Sequence, residues 1–76
     1  MPGPLTEAIA SILREAVENR GLTQQRVAES IGQSQSQVSK YLRGETTMDA
    51  EEIDKVCKLV GVSIADVITR ADKARG

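Results

Sequence analysis

The sequence predicts an all-α fold of five short helices. Apolar residues recur at helical spacing in five segments, and glycines follow the first four segments at positions 21, 32, 44 and 61. Glycine is favoured there because it adopts a positive φ without steric penalty. No proline occurs after Pro4, and no segment alternates as a strand does. We therefore expect one compact domain over residues 1–76, with helices at about 5–20, 24–31, 35–42, 50–60 and 64–73.

The predicted helices also carry suitable N-terminal caps. From the second helix onward, a residue whose side-chain oxygen can accept a backbone hydrogen bond precedes each apolar face. These caps are Thr23, Ser34, Asp49 and Ser63. Gln37 stands three residues after Ser34 and completes an expected capping box, and Glu52 after Asp49 forms a weaker one.

The composition excludes several classes of protein. The chain has no His and one Cys, so zinc fingers, zinc hydrolases, disulfide frameworks and His-based catalytic groups cannot be built. Cys57 lies on the apolar face of the fourth helix, as a buried thiol would. Glu51 and Glu52 are adjacent, and adjacent helical side chains diverge too far for acid–base catalysis. We expect no catalytic residue, metal or cofactor, and the chain is not predicted to be an enzyme.

No targeting or membrane signal is evident. No apolar run approaches about 18 residues, the length that predicts a spanning helix. The first residues lack the basic region and apolar core of a signal peptide. A cytoplasmic location is therefore expected by default.

The second and third helices form the most informative unit. Two short helices joined by a tight glycine-containing turn are typical of a helix-turn-helix. Ala28 is small where the two helices would cross, and Gly32 suits the turn. We expect a shared core of Val27, Ile31, Val38 and Tyr41.

The third helix separates polar from apolar residues. Its apolar side carries Val38, Tyr41 and Leu42, and its outward side has no acidic residue. That outward side carries Gln35, Ser36, Ser39, Lys40 and Arg43. Gln pairs with adenine in the major groove, Lys reaches guanine, and Ser serves either, so this face is suited to reading base edges. Gln37 is a weaker candidate because its capping role already accounts for it.

The stretch LTQQRVAESIGQSQSQVSKYLRGE, residues 22–45, resembles the DNA-binding core of phage repressor and Cro-like proteins, the XRE-type helix-turn-helix family. The similarity extends over roughly Ile9 to Ile68 and implies the five-helix fold of a repressor headpiece. Two positions depart from the family pattern. Gln33 replaces a usual apolar residue in the turn, where we expect looser packing, and Arg26 replaces a frequent Glu.

The resemblance assigns roles to individual residues. Gln24 is implied to contact a backbone phosphate and to brace Gln35, which would read a base edge. Ser36 is implied to contact a second base or a phosphate, and Ser39 and Lys40 are implied to make further base contacts. Arg43 is implied to touch phosphate, and Gln37 remains a possible additional contact.

The fifth helix has a wide apolar arc for so small a core. Ile64 and Ile68 are our candidates for contact with a second copy. The alternative is that this helix folds entirely onto its own domain.

The resemblance implies a sequence-specific regulator of transcription that binds double-stranded DNA, with repression favoured over activation. We expect a homodimer on a palindromic operator, with the third helix of each copy in the major groove of nucleoid DNA in a bacterial or phage-infected cell. The alternative is an antitoxin-type or other protein-interaction module, with a toxin or another protein as partner and DNA binding secondary or absent. Whether the chain is a whole regulator or a headpiece stays open.

The net charge of −1 and the pI near 5.3 do not contradict DNA binding. Residues 20–44 carry four cations and one Glu, a net charge of +3, whereas residues 45–54 carry five acidic residues and no cation. The predicted helix-turn-helix is therefore basic, and we expect the acidic block to face solvent or a partner. So few cations predict weak non-specific binding.

Overall fold

The computed structural model describes residues 3–75 and contains five α-helices there. They are α1 (Pro4–Asn19), α2 (Gln24–Ile31), α3 (Gln35–Leu42), α4 (Ala50–Val60) and α5 (Ile64–Ala74). The predicted all-α fold is confirmed. The first helix begins and ends one residue earlier than expected. Its start includes Pro4, because proline is tolerated in the first turn, where the N–H would have no helical partner. The fifth helix extends one residue further than expected.

The four predicted caps all act as caps. The side chains of Thr23, Ser34, Asp49 and Ser63 each accept a hydrogen bond from the backbone N–H three residues later. The complete capping box is the one expected to be weaker, since Glu52 also accepts from the Asp49 backbone N–H at 3.0 Å. The expected box at α3 is only half formed: within residues 3–75, Gln37 donates its backbone N–H to Ser34 but its side chain accepts nothing from Ser34.

One aliphatic core joins all five helices. Helix α1 packs against α5, α3 and α4, while α2 packs against α3 and α4. Every helix contributes at least one of the largest side chains that are almost wholly shielded from water. They are Leu13, Val27, Val38, Val56, Cys57 and Val67. The core therefore lies between α1 and the α2–α3 pair, and α4 and α5 close it.

The turn between α2 and α3 has the geometry that its sequence predicts. Gly32 adopts a φ of +72°, in the left-handed region that favours glycine. Ala28 is buried where the two helices meet, together with Val27, Ile31 and Val38. This packing places the apolar side of α3 against the core and leaves the opposite side of the helix at the surface.

Within residues 3–75, no helix combines the length and the apolar character needed to cross a membrane.

Candidate nucleic-acid interface

The outward side of α3 and the start of α2 form one open depression. Five polar side chains line it, and all five are among those that the sequence singles out. They are Gln24, Gln35, Ser36, Ser39 and Arg43. Gln24 lies in the first turn of α2 and Gln35 in the first turn of α3, and both side chains line the depression. The fold thus brings residues 24 and 43 to the same surface.

The two remaining candidates lie outside the depression. Lys40 is exposed in the last turn of α3, where a cation is favoured by the helix dipole. Gln37 is half-buried and on the side of α3 nearer the core. The surface that α3 offers a ligand therefore consists of Gln35, Ser36, Ser39 and Arg43, with Lys40 beside them.

Arg43 is held by neighbouring side chains. Its Nε donates to Glu45 Oε2 at 2.5 Å, and its Nη1 donates to Ser39 Oγ at 2.5 Å. The hydrogen bond and then the negative charge of Glu45 raise the pKa of Arg43. The hydrogen bond from Arg43 is the largest cause that lowers the pKa of Glu45, and the charges of Arg43 and Lys40 add to it. Helix α3 has no acidic residue, but the fold brings a carboxylate to the edge of its outward side.

The inward side of α3 is fastened by apolar packing and a buried carboxylate. Val38, Tyr41 and Leu42 are buried. The Tyr41 hydroxyl donates to both carboxylate oxygens of Glu52, at 3.1 and 3.0 Å. Burial raises the pKa of Tyr41, and the hydrogen bond and charge of Glu52 raise it further. Tyr41 therefore stays a neutral donor at physiological pH.

Glu52 also anchors the turn before α3. Gln33 Nε2 donates to Glu52 Oε2 at 2.8 Å, so the turn at Gln33 is tied to α4. Gln33, where looser packing was expected, is exposed, and its amide reaches a carboxylate that an apolar side chain could not bind. The expectation that the acidic block faces solvent was wrong for Glu52, which is only 9% exposed.

Sequence reasoning missed Glu52 as the residue that positions α3. In the sequence, the spacing of Glu52 from Asp49 at the start of α4 predicts a helix cap, but it does not predict a contact with α3. The contribution of α1 to the position of α3 was also not evident from the sequence. Arg14 Nη1 donates to the Leu42 carbonyl at 3.3 Å and so satisfies a backbone acceptor at the end of α3.

The two candidates for a dimer interface differ in exposure. Ile68 is 38% exposed and is the one large apolar side chain that stays exposed within residues 3–75. Ile64 is half-buried and packs against the core of its own domain. The wide apolar arc of α5 is therefore used only partly inside the domain, and Ile68 is its one large side chain that remains exposed, beside the small Ala65 and Ala74.

Known proteins share this architecture. A family model described as helix-turn-helix matches residues 13–67. A crystal structure of the clp gene regulator ClgR from Corynebacterium glutamicum is 29% identical, with a TM-score of 0.86 over 99% of this chain and 80% of that chain. A second ClgR crystal structure is also 29% identical, with a TM-score of 0.84 over 100% of this chain and 97% of that chain. No curated protein matches the chain.

The family model spans most of the chain and contains all of α2, α3 and α4. It therefore includes each residue that lines the depression. By sequence and by fold, the chain belongs to the XRE-type helix-turn-helix family of DNA-binding regulators.

Proposed function

We propose that this chain is a sequence-specific regulator of transcription that represses by binding a palindromic operator in double-stranded DNA. The observation that carries the proposal is the single depression lined by Gln24, Gln35, Ser36, Ser39 and Arg43. Amide and hydroxyl groups form hydrogen bonds to base edges, and a guanidinium binds phosphate oxygens. The similarity to ClgR, a regulator of clp genes, agrees with this function.

In this proposal the side chains divide by task. Gln35, Ser36, Ser39 and Lys40 read bases from α3 in the major groove, with Gln37 in a minor role. Gln24 and Arg43 contact phosphates on either side of the groove and fix the position of α3. Contacts to phosphate orient a protein on DNA, whereas contacts to bases select the sequence.

A homodimer follows from the small size of this surface. One short helix reads only a few base pairs, so two copies are needed for a site that is rare in a genome. The exposed Ile68 on α5 supplies an apolar contact for the second copy. The half-sites then lie about one helical turn apart. We place the protein in the cytoplasm, on nucleoid DNA.

Selection of bound sequences from random duplex DNA tests this function. We expect an enriched palindrome with half-sites separated by about 10 base pairs from centre to centre. Enrichment of one unpaired half-site would contradict the dimer. No enrichment from any library would contradict sequence-specific binding.

A matched pair of lysine variants locates the surface. Lys40 and Lys73 each lie exposed in the last turn of a helix, α3 and α5 respectively. Lys40→Ala is expected to weaken binding to the selected site, whereas Lys73→Ala removes the same charge and leaves binding nearly unchanged. Equal effects of the two variants would show that net charge, rather than the outward side of α3, controls binding.

A further inference from the structure

The Arg43 guanidinium is occupied by a carboxylate in the DNA-free protein. Nε and Nη2 of Arg43 donate to the two oxygens of Glu45, at 2.5 and 3.4 Å. This two-pronged geometry is also the one with which a guanidinium binds two oxygens of a phosphate. Glu45 therefore occupies the Nε–Nη2 edge of the guanidinium, which a DNA phosphate could otherwise bind in the same way.

The backbone keeps Glu45 in this place. Gly44 has a φ of +74°, and its N–H donates to the Tyr41 carbonyl at 3.1 Å, while the Glu45 N–H donates to the Lys40 carbonyl at 3.0 Å. These two bonds form the reversal that commonly ends a helix at a glycine. Gly44 also lies against α1, because a Cβ at position 44 would come within 3.4 Å of Glu7 Cα. Glu45 is thus directed back over the end of α3.

The pair is open to an incoming ligand. Both side chains are 52% exposed, and Arg43 also lines the depression with Gln35 and Ser36. An exposed ion pair gains little free energy because water and salt screen it. A phosphate can therefore displace Glu45, but it must first break the pair, and it leaves the Glu45 carboxylate beside the negatively charged backbone.

We propose that Glu45 competes with a DNA phosphate for Arg43 and thereby lowers the part of the affinity that does not depend on sequence. This inference rests on the DNA-binding function proposed above. Glu45 weakens binding to every sequence by a similar factor, so that stable occupancy depends on the base contacts of Gln35, Ser39 and Lys40. Glu45 thus limits the affinity of the protein for DNA of unrelated sequence.

A double-mutant cycle tests the competition. The wild type, Arg43→Gln, Glu45→Gln and the double variant are titrated onto a labelled random-sequence duplex and onto the selected site, and anisotropy is measured over a series of salt concentrations. We expect Glu45→Gln to raise affinity for both duplexes by about two- to fivefold, the range typical of one exposed ion pair. The slope of its salt dependence should change by much less than the value of about 0.9 for a full phosphate contact, because Arg43 contacts the same phosphate in both proteins once Glu45 is displaced.

The coupling in this cycle separates competition from simple repulsion. If Glu45 sequesters Arg43, then Arg43→Gln must weaken binding more in the Glu45→Gln background than in the wild type. Equal effects in the two backgrounds would overturn the inference, because Glu45 would then act on DNA independently of Arg43.

Glu51→Gln serves as the matched control. Glu51 is an exposed carboxylate of the same acidic block and forms no ion pair within residues 3–75. Its substitution should leave affinity nearly unchanged, and a gain equal to that of Glu45→Gln would overturn the inference. If the wild type binds no duplex at all, the proposed function itself fails, and the inference fails with it. If the wild type binds and the cycle shows no coupling, only the role of Glu45 is wrong.

Discussion

Helices α3 and α5 are built alike on their inner sides and differ on their outer sides. Each begins at a serine cap, Ser34 or Ser63, and each buries a valine almost completely, Val38 or Val67. The outer side of α3 carries amide, hydroxyl and cationic groups, whereas the outer side of α5 exposes Ile68. Packing requires only the inner side, so the outer sides are free to serve different ligands.

The two helices are also fastened differently. Tyr41 of α3 donates to Glu52 of α4, and Arg14 of α1 donates to the last carbonyl of α3. Within residues 3–75, no side-chain hydrogen bond joins α5 to another helix, and its attachment is apolar. The proposed role of α3 in reading bases needs a defined position, and directional hydrogen bonds supply one where apolar contacts alone permit sliding.

The largest effect is expected from breaking the polar attachment of α3. Glu52→Ala removes the acceptor for Tyr41, Gln33 and the Asp49 backbone, and should lower the free energy of unfolding by about 2–3 kcal/mol, since buried donors lose their partner. Thermal and urea denaturation measure this loss. Glu51→Ala, at the exposed neighbouring position, should change stability by less than about 0.5 kcal/mol. Equal stabilities of the two variants would show that Glu52 does not fasten α3.

The next effect sharpens the contrast between the two outer sides. Gln35→Ala should weaken binding to the selected site by about 1–3 kcal/mol and relax the base preference at one position, with stability unchanged. Anisotropy titrations on the selected site and on its single-base variants measure both quantities. Thr69→Ala on the exposed side of α5 is the control. If Gln35→Ala binds the selected site as the wild type does, α3 does not read bases in the way we propose.

A substitution on α5 should change assembly without changing the fold. Ile68→Asp places a charge on the proposed contact and should shift the sedimentation coefficient from dimer to monomer. Because Ile68 is already 38% exposed, the stability of the domain should change by less than about 0.5 kcal/mol. Thr69→Asp introduces the same charge at the next position, and its mass should remain that of the wild type. An unchanged mass for Ile68→Asp would place the interface elsewhere.

The smallest effect concerns Cys57, a buried thiol of α4. Burial raises the pKa of the Cys57 thiol, and the charge of Asp54 raises it further, so the reactive thiolate is scarce near neutral pH. Alkylation of the native protein should therefore be much slower than that of the denatured protein. Glu52→Ala should accelerate it, because the fold opens more often, and Ile68→Asp should not. Equal alkylation rates in Glu52→Ala and Ile68→Asp would contradict the difference that we describe between the polar attachment of α3 and the apolar attachment of α5.

Much of the fold was predictable because its signals are local. The caps at Thr23, Ser34, Asp49 and Ser63 lie three residues from their partners, and the apolar periodicity repeats within two turns. The surface lined by Gln24, Gln35, Ser36, Ser39 and Arg43 was also predictable, since the resemblance assigned each of these positions. Which capping box would be complete was not predictable: Glu52 closes its box while it also accepts from Tyr41, eleven residues away.

The sequence by itself determined five helices, the side-chain caps of four of them, their buried sides and the absence of acidic residues from α3. Only the tertiary structure decided that Glu52 of the acidic block would be buried. Glu52 turns inward to Tyr41 and Gln33, while Glu45 turns outward to Arg43, two residues before it. The reason is physical: helix formation depends on residues three or four apart, whereas the environment of Glu52 depends on donors that the fold brings from other elements.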